Sequence, residues 1–236
     1  MQISVKSDIQ QFSKWMNATQ KKHLKSAIRN GLNETAFQTM KGMRKDLPKF
    51  VDRPTDFTIK GLQYSRAEKT RLTARVGFVS SNFGKKRGSA KTFQADYMSR
   101  LDTGGIRLPN KRSIAVPVVK NYKTNKHGNL RRNALERFFS STGNNAGTFF
   151  IGRPRGAKRP GGDGVFRRGG RNGRGEIKMQ VVFKDNTKYS KSYPFQRQVK
   201  DHVRQKFRKS FEKQIQEVMN RKGIHYFSKY KLGNIL

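Results

Sequence analysis

Apolar residues recur at helical spacing through the first fifty positions. Ile9, Phe12 and Met16 follow a capping-box pair, Ser7 and Gln10, and a second start at Asn17 with Gln20 precedes Leu24, Ile28, Leu32, Ala36, Met40, Met43 and Leu47. The pattern predicts a long helix, broken near Asn17, that runs to about Asp46 and is ended by Pro48. Gly31 and Gly42 interrupt it at a cost of about 1 kcal/mol each relative to alanine, which points to a bend or a close helix contact. From Phe57 the period falls to two. Phe57 and Ile59, then Leu72, Ala74, Val76 and Phe78, alternate with polar or small residues and predict an antiparallel strand pair with one buried face.

A basic connector, SSNFGKKRGSAK, leads to a short helix over about 93–101 that Gly104 and Gly105 stop. Pro109 and Pro117 confine the following stretch to extended edge or loop structure. A short helix over 130–139, a strand at TFFI and a strand over 176–184 come next, the last with Ile177, Met179, Val181 and Phe183 on one face. Pro194 opens a long final helix carrying Phe195, Val199, Val203, Phe207, Phe211, Ile215 and Val218. Spacing of four drifts around a helix of 3.6 residues per turn, so this stripe winds and could serve two packing partners. Gly223 closes the helix. The remaining residues, 224–236, form an aromatic docking tail for a neighbouring subunit or for the chain's own core. The expected fold is α+β: a twisted, mainly antiparallel sheet packed against long N- and C-terminal helices, in a single domain over 1–223 with extended basic loops.

Charge changes the picture. The 236 residues hold 53 Lys and Arg against 15 Asp and Glu, a formal charge of +38, which calls for an anionic partner: nucleic acid, anionic lipid or an acidic protein surface. The densest stretch is FFIGRPRGAKRPGGDGVFRRGGRNGRG, where Arg153, Arg155, Lys158, Arg159, Arg167, Arg168, Arg171 and Arg174 are opposed by Asp163 alone. Nine glycines and little apolar surface predict a loop over 152–175 that builds no core and meets phosphates, arginine supplying forked hydrogen bonds and glycine close approach. The bland alternative is a solvated, flexible loop. Lys85, Lys86 and Arg87 form a second candidate contact for DNA or a neighbouring subunit.

Catalytic patterns are weak. Four scattered histidines show no metal-ligand spacing, and His202, beside the apolar stripe of the last helix, reads as a packed or surface residue. With no cysteine there are no disulfides, thiolate metal sites or cysteine nucleophiles, and the chain fits a reducing compartment or simply a protein assembled inside a cell. The glycine stretch lacks Walker spacing and a dinucleotide fingerprint. Asp163, Glu176 and Lys178 resemble a metal-dependent nuclease core, against which stands the ordinary reading of outward positions on an amphipathic strand. No cofactor, metal or enzymatic activity is expected. The N-terminus has no apolar signal core, and SIAVPVV is far shorter than the roughly 20 residues of a membrane span.

The stretch ADYMSRLDTGGIRLPNKRSIAVPV resembles the tail-completion, minor tail protein Z-like family of tailed bacteriophages, and GNLRR, GTFFIGRPRG, GVFRR and YPFQRQVKDHVRQKF continue the resemblance in the same order. It covers about 93–219. The resemblance implies a non-enzymatic virion protein, a hexameric ring at the tail end or head-to-tail neck, with duplex DNA in its channel and portal, adaptor or tail-tube proteins as neighbours. In that setting the basic residues would face the lumen or a subunit interface. Six copies at +38 each far exceed the charge of a channel about 60 Å tall, which holds roughly 35 phosphates at one per ~1.7 Å, so most of the positive charge must meet acidic neighbours or solvent. A general DNA- or RNA-binding structural protein is the alternative, weakened because Trp15 and most phenylalanines fall on core-like positions.

Overall fold

Two long helices carry most of the apolar periodicity, and they pack on each other. In the computed structural model, which describes residues 18–85, 93–109, 112–141, 148–154, 163–169 and 175–221, helix α1 is Ala18–Phe50. Its expected upstream segment, 7–16, lies outside those residues. Pro48 does not stop α1 but sits in its last turn, and Val51 N–H still donates to the Leu47 carbonyl at 3.0 Å. A proline so close to the end has little helix beyond it to break.

Helix α2 (Asp56–Gly61) replaces the first expected strand. The Thr55 hydroxyl accepts from Thr58 N–H at 3.2 Å and caps it, with Asp56 in its first turn, so local capping overrides the alternation of Phe57 and Ile59. Strands β1 (Leu62–Ser65) and β2 (Arg75–Phe78) then form the antiparallel pair, Leu62 opposite Phe78. Helix α3 (Gln94–Thr103) ends at Gly104, whose φ of 77° is the left-handed conformation that glycine adopts freely.

The inserted segment follows: β3 (Gly105–Arg107), β4 (Ile114–Pro117), helix α4 (Ala134–Ser141), β5 (Phe149–Gly152), β6 (Gly164–Arg168), β7 (Ile177–Lys184) and β8 (Thr187–Tyr189). Helix α5 (Phe195–Asn220) closes the described chain, its first turn formed by Gln198 N–H on the Pro194 carbonyl. Gly223 and the tail 224–236 lie outside the described residues. The molecule is thus α+β, with antiparallel sheets and long helices near both ends of the chain. It divides into two compact units: 1–102 with 192–236, and 103–191.

In the first unit α1 and α5 share two clusters. Leu24, Ala27 and Ile28 meet Phe211 and Ile215; Met40, Met43 and Leu47 meet Phe195 and Val199, joined there by Leu62, Phe78, Met98 and Tyr193. Each fully buried large apolar side chain contributes about 1.5–3 kcal/mol. The winding stripe of α5 is therefore covered along its length by α1, with the β1–β2 hairpin and α3 added at one end. Gly31 and Gly42 mark close approach: a Cβ on Gly31 would stand 3.0 Å from the Phe211 ring and 3.2 Å from its Cα, and one on Gly42 would stand 2.7 Å from the His202 ring.

Among the described residues the strands form three sheets, two of them two-stranded. In the second unit the main sheet has the order β4-β7-β6-β5, all antiparallel, with Pro117 on the edge strand β4 where a missing N–H is harmless. Its core is local: Val165 and Val181 pack on Ala134 and Phe138 of α4, with Ala115, Tyr122, Phe149 and Phe183 around them. The register skips Gln180, because Val165 opposes Val181 and Phe166 opposes Met179. This bulge breaks the expected alternation on β7: Gln180 and Val181 are both buried and Ile177 is exposed.

Candidate polyanion interface

Reading 152–175 as one core-free loop is corrected by β6. Val165 and Phe166 are buried, and β6 is an interior strand of the main sheet. Two short apolar residues among arginines and glycines give little periodic signal, yet pairing on both sides makes them central. Gly164 has a specific reason: a Cβ there would collide with the Val181 carbonyl, so only glycine lets the two backbones approach.

Arg167 and Arg168 consequently stand on a strand, not a loop. Arg153 follows β5, whose last residue Gly152 opposes Gly164, so Arg153 lies at the opposite end of β6 from Arg167 and Arg168. The basic stretch does not present one surface: its connections leave β6 at two ends, about 10–15 Å apart for a five-residue strand. Arg155, Lys158, Arg159, Arg171, Arg174, Lys86 and Arg87 lie outside the described residues.

The end of β6 nearest β7's start is the more cationic of the two. Arg167 is exposed and directly opposes Lys178 across the β6–β7 ladder, a like-charge pair on one face. Such pairs are destabilising by roughly 0.2–1 kcal/mol. Lys178 reaches Glu176 at 3.2 Å, but both side chains are well exposed and a pair of this kind is worth about 0–1 kcal/mol. Arg167 has no carboxylate partner among the described residues. Arg168, on the other face, lays its guanidinium 4.9 Å from the centre of the Phe150 ring, which itself stacks on Phe166 at 5.2 Å and an interplanar angle of 13°. That aromatic pair holds the Arg168 head through a cation–π contact. The backbone closes just beyond, Gly169 N–H donating to the Glu176 carbonyl at 3.0 Å and Gly175 N–H to the Gly169 carbonyl at 2.7 Å.

At the other end Arg153 lies 3.8 Å from Asp163, both exposed. The nuclease-like constellation does not assemble. Asp163 precedes β6, Glu176 lies beyond its far end, and each carboxylate faces a cation of its own, so the two do not converge on one ion. Among the described residues no group of three or more His, Asp or Glu could hold a metal ion.

In the first unit Lys85 is exposed on a backbone that is firmly held: its N–H donates to the Gln63 side-chain oxygen at 2.9 Å, and the Gln63 amide donates to its carbonyl at 3.0 Å. Gly84 before it has φ 77°. Sequence reasoning passed over the solvent face of α5. There Lys200, Arg204, Lys206 and Lys209 are exposed and without carboxylate partners among the described residues, whereas Arg208 and Lys213 are met by Glu212 and Glu217 one turn on. The complement of the apolar stripe would have revealed them, because the side of α5 opposite that stripe faces water.

His202 is a packing residue, as its sequence position suggested. Its Nε2–H donates to the Asp46 carboxylate at 3.0 Å, while Nδ1 is buried without a hydrogen-bond partner among the described residues. The Lys49 ammonium foremost, with His202 assisting against the opposing effect of burial, holds the Asp46 carboxyl below the usual carboxylate range. Burial pushes the Tyr193 phenol well above its ordinary value, and the nearby Asp46 and Asp102 charges add to the effect. Among the described residues no helix is long and apolar enough to cross a membrane. Comparison with protein-family profiles, curated proteins and solved structures gives no match to this chain.

Proposed function

We propose that the chain is a structural virion protein of a tailed phage, a tail-completion or head-to-tail joining subunit that assembles as a ring around the DNA channel. The observation that carries the phosphate-facing part of this reading is the exposed Arg167–Lys178 row, where strand pairing holds two cations side by side and Arg167 has no carboxylate partner among the described residues. A row of phosphates would relieve that repulsion, and backbone contacts of this kind bind without reading sequence. The phage setting is supported by the order of the resembling motifs, which correspond to successive elements: GGIRLP to β3, IAVP to β4, TFFIG to β5, GVFRR to β6 and the YPFQRQV stretch to the start of α5.

In the ring the helix pair and the main sheet supply rigid wall, no catalysis is performed, and the basic surfaces divide between mobile DNA and acidic neighbouring proteins. A sixfold arrangement is part of the proposal. The competing reading, a general DNA- or RNA-binding structural protein, draws on the same cations. Mass photometry of nuclease-treated protein separates them: a discrete ring-sized species without nucleic acid supports the joining ring. Monomers that bind duplex DNA with steep salt dependence, from a protein that fails to co-purify with finished particles in fixed ratio, would sink it.

A further inference from the structure

The ribbon formed by β3 and β8, with the residue that follows β3, presents two strongly exposed aliphatic side chains. Ile106 is 62% exposed and Leu108 67%, although both are large aliphatic residues. Leu108 is the first residue beyond β3, and Pro109 after it favours extended backbone there, which would put it on the same side as Ile106 two positions earlier. Ile106 directly opposes Lys188, so this face carries two aliphatic side chains and a lysine. The alternate positions on β8 explain the orientation: Thr187 and Tyr189 are half-buried, and the Thr187 hydroxyl is fully enclosed, which turns that face of β8 inward and Lys188, with Ile106 opposite it, outward, while all of β3 stays exposed. The ribbon has only two strands, leaving a backbone edge unpaired on each among the described residues.

We infer that this ribbon is a docking edge for an acidic protein, which adds a strand to it and covers Ile106 and Leu108. Main-chain groups of the open edge would supply the hydrogen bonds, and the two aliphatic residues the buried area. The sign of the partner follows from the rim. Arg107, Lys188 and Lys191 are exposed and have no carboxylate partner among the described residues, and the turn between β7 and β8 offers Asp185 as its one acid. A second copy of this chain is a poor occupant, because its charge of +38 would set like cations against each other. A polyanion such as DNA would meet the cations but gain nothing from Ile106 and Leu108. The inference goes beyond the joining-ring reading and does not depend on it.

The test uses the full chain and a labelled strand-forming peptide of alternating valine and glutamate, read by fluorescence anisotropy and by amide hydrogen exchange across 105–107. Polyglutamate, a valine–lysine peptide and a short DNA duplex are the comparators. The expected result is binding of the valine–glutamate peptide with slowed exchange in β3, weakened at least about tenfold by the Ile106→Ser, Leu108→Ser double variant. Both positions are solvent-exposed, and circular dichroism confirms that the variant remains folded. Three results would overturn the inference: no binding of the peptide; equal competition by polyglutamate or DNA with no effect of the double variant, which marks a site of charge alone; or self-association abolished by the variant, which marks a contact between copies.

Discussion

Replacing Gly42 by alanine tests whether the two long helices are held in register by direct contact. In an isolated helix the change would stabilise by about 1 kcal/mol. Here the new methyl would stand 2.7 Å from both Cε1 and Nδ1 of His202, far inside contact distance. The ring has little freedom to yield: its side chain is 13% exposed and Nε2 is tied to Asp46, which lies on α1 one turn beyond Gly42. Either the helices separate locally, an overpacking cost of about 1–3 kcal/mol, or the ring swings away and gives up a hydrogen bond to a charged group, about 1.5–3 kcal/mol. At mid-range both exceed the gain in propensity, so Gly42→Ala is expected to destabilise by about 1 kcal/mol net, within a range of roughly 0–2. Urea unfolding followed by far-UV circular dichroism measures it, with amide exchange in α1 and α5 locating the loss in the first unit. In a His202→Ala background the same substitution should become neutral or stabilising, a coupling that a double-mutant cycle isolates. A Gly42→Ala protein more stable than its parent would refute the close-contact account.

Four further outcomes are expected. Gly164→Ala should loosen the second unit selectively by more than about 2 kcal/mol, because the obstructing atom is the Val181 backbone carbonyl, which cannot rotate aside; amide exchange should quicken in β6 and β7 and not in α1. Thr55→Ala removes the cap of α2 and should cost about 1 kcal/mol, seen as a lower urea midpoint, with Thr55→Asp restoring it. Asp46 has a depressed folded-state pKa, so its contribution is complete above about pH 4 and is lost as pH falls through the folded value; the stability gap between parent and Asp46→Asn should therefore narrow on acidification, and a gap that widens would contradict the assignment. Arg167→Ala should leave the fold intact or slightly stabilised, since it relieves the Lys178 repulsion, while lowering the salt slope of duplex binding by about one unit if the residue contacts a phosphate.

Long-period features were legible in the chain alone. The stripes of α1 and α5 and the glycine stop after α3 follow from repeated apolar spacing or from residues with few conformational options. Sequence narrows Pro117 only to edge or loop, and Gly31 and Gly42 to a bend or a close contact; packing decides for the edge and the contact. The expectation of an anionic partner also comes from sequence, since the net charge of +38 does not depend on fold. Short elements were different. Phe57 and Ile59 fit a strand by alternation, yet a single threonine hydroxyl at Thr55 makes the segment a helix. Val165 and Phe166 carry too little local signal to announce an interior strand, and only pairing with β5 and β7 buries them. That pairing also decides the candidate site. It separates Arg153 from Arg167 and Arg168, sets Arg167 beside Lys178, and keeps Asp163 from Glu176, because cross-strand neighbours are fixed by register between segments that composition cannot align.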